Sequence, residues 1–93
     1  MIACDAGRCT VQGPITVDNV VALLGEGNER FTAAQVTVDL AAVTEVDSSA
    51  LSLLLEWRRE AQRANRKITF VNLSANLKSL AELYGVTDLL GEG

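Results

Sequence analysis

The chain contains no histidine among its 93 residues. That removes the commonest general base, the usual partner of a serine or cysteine nucleophile, and the commonest zinc ligand. Cations are also few: eight Lys and Arg face twelve Asp and Glu, for a net charge of −4. With no basic stripe interleaved with aromatics, a nucleic-acid surface is not expected. Aromatic residues make up only 4% of the chain, so a core must be built mainly from Val, Leu, Ile and Ala. No apolar run approaches the ~20 residues of a bilayer span, and no signal peptide is expected before the fold. Cys4 and Cys9 are the only thiols. They could face each other across a hairpin, but the compartment rule favours reduced thiols serving as strand residues. Without histidine they make a poor metal site. These absences predict a soluble, cytoplasmic domain with no metal and no direct membrane insertion.

What is present is 48% apolar content, enough for one core in one domain spanning residues 1–93. Ile2–Cys4 and Cys9–Gln12 read as a hairpin turning at Ala6-Gly7, ended by Gly13-Pro14. Thr16 reads as an N-cap, followed by Val17, Val20, Val21 and Leu24 at helical spacing. Gly25 and Gly27 weaken the end of that helix, with Phe31 packing on the same layer. Val36, Val38 and Leu40 alternate with Thr37 and Asp39 as a central strand, and 41–48 reads as a loop. The longest helix is predicted from about Ser49 to about Ala64, and Lys67–Val71 is the next strand. Ser74 caps a third helix carrying Leu77, Leu80, Ala81 and Tyr84, with Gly85 as its C-terminal cap. Leu89 and Leu90 supply a last apolar anchor. The order β-β-α-β-α-β-α predicts an α/β fold. Its mixed, open sheet of four to five strands would be covered by about three helices, mainly on one face.

The polar cluster Asp47-Ser48-Ser49 stands at the mouth of the longest helix. One of the three suffices to cap it, which leaves capping alone or capping plus contact with a partner or a phosphate. Phosphorylation of Ser48 or Ser49 would add charge beside Asp47 and Glu45, a switch by repulsion. On a helical wheel Ala50, Leu53, Leu54, Trp57, Ala61 and Ala64 form the core stripe, and Leu51 and Leu55 widen it. The extra width fits either packing on a neighbouring helix or a docking patch rimmed by Arg58, Arg59 and Arg63. Trp57 likewise fits a core or an interface anchor. A serine hydrolase would need a base, and only Lys67 or Lys78 remain, with nothing that brings them near. Asp39 reads as a strand-end residue, which disfavours a carboxylate pair with Asp47. There is no Gly-rich phosphate loop with its Lys, so no nucleotide cofactor is expected.

Val38-Asp39-Leu40, the loop closing on Val46-Asp47-Ser48-Ser49 and the leucine-rich helix together resemble the STAS domain, over nearly the whole chain. Ala50-Leu51-Ser52-Leu53-Leu54-Leu55-Glu56-Trp57 with Arg59-Glu60-Ala61, and Leu80-Ala81-Glu82-Leu83-Tyr84-Gly85-Val86, are similar to the MlaB branch of that family. MlaB is the STAS subunit of the phospholipid-transport ABC system. Ala50 stands where sigma-regulating members usually carry Gly. The resemblance implies a non-catalytic subunit that binds and supports an MlaF-like ABC ATPase, and through it a permease, in keeping outer-membrane lipid asymmetry. It would then lie peripherally on the inner membrane. The partner-binding residues implied are Asp47, Ser48, Ser49, Leu51, Ser52 and Leu55. The alternative implied is an anti-anti-sigma factor that binds a serine-kinase anti-sigma factor and is released by phosphorylation at Ser48 or Ser49.

Overall fold

The computed structural model describes residues 1–90, with the side chain of Leu89 outside that description. Residues 91–93, which the sequence places in the same domain, also lie outside it. Four strands, β1 (Ile2–Asp5), β2 (Arg8–Val11), β4 (Gln35–Asp39) and β6 (Lys67–Val71), form one sheet in the order β1-β2-β4-β6. β1 runs antiparallel to β2, and the other two pairings are parallel, so the sheet is mixed with β4 inside it. Alternation sends Cys9, Val11, Val36, Val38 and Phe70 into the core and leaves Thr10, Thr37, Thr69 and Asp39 on the other face. The helices α1 (Val20–Arg30), α2 (Ser48–Arg63), α3 (Ala75–Leu83) and the single turn α4 (Thr87–Leu90) complete the molecule. No helix among the described residues is long and apolar enough to cross a membrane.

The hairpin turns where the sequence places it. Ala6 and Gly7 both have positive φ, 51° and 82°, as a two-residue turn matched to strand twist requires. Its register sets Cys4 opposite Cys9 with Cα atoms 4.0 Å apart, and the two are joined as a disulfide. The expectation of reduced thiols is therefore corrected: the pairing, invisible to a compartment argument, comes from strand register.

Three further expectations change. The hairpin pair does end before Gly13-Pro14, but 41–48 is not simply a loop, because β3 (Gly13–Ile15) pairs in parallel with β5 (Val43–Val46) in a separate two-stranded sheet. Thr16 is not an N-cap. Its N–H donates to Asn19 Oδ1 at 2.9 Å, its carbonyl accepts from Asn19 and Val20, and helix α1 begins at Val20. The helix then buries Leu23 and Gly27 and leaves Val17 and Val21 exposed at 68% and 79%. Tyr84 is 58% exposed rather than core, because it is the C-cap of α3, where Gly85 at φ 69° turns the chain away.

Gly27 sets the spacing of the two long helices. A Cβ on it would lie 2.3 Å from Trp57 Nε1 and 2.5 Å from Cε2, so the indole lies directly against the α1 backbone. Trp57 is buried, meets Phe31 edge-on at 4.9 Å between centroids, and has no hydrogen-bond partner for its N–H among the described residues. This places Trp57 in the core and lets α1 continue through its glycines to Arg30.

Candidate functional site

Asp47 is the N-cap of α2. One carboxylate oxygen accepts from the Ser49 N–H at 2.8 Å, and the other accepts from the Val17 N–H at 3.1 Å. The Val17 N–H contributes most to holding this carboxyl below the usual range; burial opposes it, and the Ser49 N–H and hydroxyl add smaller lowering contributions. Capping thus falls to Asp47 alone. Ser48 is exposed, and neither its hydroxyl nor that of Ser52 has a protein partner among the described residues.

Helix α2 carries this cap outward because its other face is fully engaged. Ala50, Leu53, Leu54, Trp57 and Ala61 are buried as the wheel predicts, whereas Ala64 is the exposed C-cap. Leu51 is also buried, which resolves its role largely in favour of packing, and Leu55 is half-buried. Both still line one groove of about 370 Å³ together with Ser48, Ser49, Ser52, Tyr84 and Val86. Five of the six sequence-predicted contact residues therefore meet on one wall, with Asp47 anchoring its end.

The opposite wall was not anticipated. Tyr84 and Val86 come from the α3–α4 turn, and helical spacing had assigned Tyr84 to the core. The signal available was its position directly before Gly85, where a helix ends and its last side chain is freed. The arginine rim is not formed. Arg59 pairs with Glu56 at 2.7 Å and Arg63 with Glu60, both along α2. Arg58 instead lines a separate depression with Gln62, Arg66, Lys67 and Asp88.

Asp39 sits apart from this groove as a structural carboxylate. It accepts from the Ala41 N–H at 2.9 Å, from Asn72 at 3.1 Å and from Arg8 at 2.7 Å. These contacts, led by the Ala41 N–H, hold its carboxyl below the usual range. It ties the end of β4 to β2 and to the segment leaving β6.

The family model described as "Mlab, STAS domain" matches residues 3–91. The chain belongs to the STAS domain family, in its MlaB-type form. Solved structures agree on the fold. The anti-sigma factor antagonist SpoIIAA in its unphosphorylated form superposes with a TM-score of 0.76 at 13% identity, covering 100% of this chain and 86% of that one. A sulfate transporter family protein from Wolinella succinogenes gives 0.73 at 16% identity, covering 96% and 75%. The Bacillus cell fate determinant SpoIIAA in its phosphorylated form gives 0.71 at 12% identity, covering 100% and 89%. No curated protein matches the chain at a significant level.

Proposed function

We propose that this domain is a non-catalytic subunit that docks on the ATPase of a phospholipid-transport ABC transporter through the groove beside Ser48. The observation that carries this reading is the spare exposed hydroxyl of Ser48. With Asp47 already capping the helix, Ser48 has no structural task, yet it stands at the rim of a groove floored by Leu51 and Leu55. An apolar floor with a few unpaired polar groups is the make-up of a protein contact surface. The MlaB-type family match supports the choice of partner. Within the complex the domain would stabilise the ATPase or help set its activity, and lie on the inner membrane only through it. Purified together with a phospholipid-transport ABC ATPase from its own host, the protein should form a stable complex. Ser48→Glu should lose it, since a longer, charged side chain there would have to be desolvated against the apolar groove floor. A complex that forms equally well with Ser48→Glu contradicts the assignment.

A second reading is favoured by one observation, the superposition over 100% of this chain on SpoIIAA, a protein solved in both unphosphorylated and phosphorylated forms. As an anti-sigma factor antagonist, this domain would bind a serine-kinase anti-sigma factor and be released when Ser48 or Ser49 is phosphorylated. Incubation with a candidate kinase and ATP, followed by intact-mass measurement, separates the two readings.

A further inference from the structure

Exposed Ser52 borders two depressions at once. One is the groove just described. The other, of about 120 Å³, lies between α1 and α2 and is lined by Val20, Val21, Leu24, Leu53 and Glu56. The large apolar side chains exposed on the described surface are Met1, Val17, Val21, Leu83 and Tyr84. Val21 lines the depression between α1 and α2, and Tyr84 the groove beside Ser48. Val17 is fastened by its N–H to Asp47, the cap of the helix between them. The two depressions therefore meet across α2 at Ser52.

Charge says what can cover it. The lining residues all come from three stretches, 9–29, 31–57 and 79–93, which contain no Lys or Arg. Glu56, which pairs with Arg59 at 2.7 Å, is the one charged residue in the lining, and Asp18, Glu45, Asp47 and Glu82 lie close in the chain to other lining residues. Five of the eight cations fall in residues 58–67, at the far end of α2 and the start of β6.

We infer that the docking surface extends over both grooves, from Val21 to Tyr84, and that it fits a helical segment of a partner protein with an apolar ridge flanked by Lys or Arg. This rests on the docking reading above and adds the chemistry of the partner's surface. Apolar contact supplies affinity, and the acidic surround steers and selects a cationic partner.

Two arms test it with the full chain. In the first, affinity for a phospholipid-transport ABC ATPase of the same host is measured for wild type, Val21→Lys and Tyr84→Ala, each an exposed position whose change leaves the core alone. Each variant should weaken binding at least about tenfold, and added salt should weaken the wild-type complex. In the second arm, amide shifts are mapped on adding a leucine/lysine amphipathic helical peptide or its leucine/glutamate counterpart. Shifts should centre on Val21, Ser52, Leu55 and Tyr84 with the lysine peptide alone. If the ATPase does not bind but the lysine peptide maps to these residues, the partner assignment fails and the surface stands. The inference is overturned if Val21→Lys and Tyr84→Ala bind the ATPase like wild type while Ser48→Glu does not. It is overturned equally if the peptide shifts lie elsewhere or do not appear, or if the glutamate peptide binds as well. A dimer in solution that Val21→Lys dissolves would overturn it in favour of a second copy of this chain.

Discussion

Asp47 divides its two oxygens between two segments, the first turn of α2 and the Val17 backbone. Asp39 gathers Ala41, Asn72 and Arg8 in the same manner at the end of β4. Both carboxyls titrate below the ordinary aspartate range in the folded state. A group with a depressed folded pKa contributes stability that is present above its unfolded value and lost as pH falls through the folded one. Stability should therefore be level near neutrality and decline in acid below about pH 4, followed by denaturant midpoints across that range. Asp39→Asn or Asp47→Asn should lower the midpoint at neutral pH and flatten the acid decline. Gly27 offers a sharper case. Gly27→Ala drives a methyl into Trp57 and should cost about 1–3 kcal/mol, with a change in indole fluorescence as α1 moves off the ring. Gly25 and Gly27 mark a weakened helix in the sequence but not the use of Gly27, because close backbone approach depends on Trp57, thirty positions away.

Among the elements, α2 and α3 were legible because each combines a polar cap with a helical apolar repeat, local signals that tertiary packing reinforces. Ser74 accepts from the Leu77 N–H at 3.1 Å as expected, and Ser74→Ala should destabilise by about 1 kcal/mol in thermal or chemical unfolding. Helix α1 was legible as a helix but misphased. Its inward stripe runs through Leu23 and Gly27, and a glycine carries no hydrophobic signal. β3 and β5 were missed because strands of three and four residues have too little alternation to read, and their pairing joins positions about thirty apart. The hairpin was read correctly while its chemistry was not. The Cys4–Cys9 link closes a loop of only five residues' separation, so the unfolded chain is constrained little beyond what the turn already does. Reduction should lower stability by about 2 kcal/mol on loop-closure grounds and leave the fold standing, checked by melting with and without dithiothreitol.

At the scale of the molecule, the helices carry one side of the sheet and a threonine-rich face is left on the other. The STAS architecture follows from the β4–α2–β6 unit, whose strands pair in parallel with α2 between them in the chain. This architecture was legible in the sequence because alternation in β4, the capped apolar helix and the next strand follow one another without interruption. The site was legible on one wall only. The residues on α2 announce themselves by lying in one run, whereas Tyr84 and Val86 reach the groove through a turn whose direction Gly85 decides. Charge is sorted along the same axis, with cations gathered at 58–67 and none among the groove residues. The central claim is that Ser48 and its groove form the contact with the transporter's ATPase. Its most direct test is the affinity of the purified protein for that ATPase, compared among wild type, Ser48→Glu and Ser52→Arg, with circular dichroism confirming that all three fold. The account predicts a complex for wild type and at least about a tenfold loss for both exposed substitutions. Equal affinity across the three proteins would contradict it.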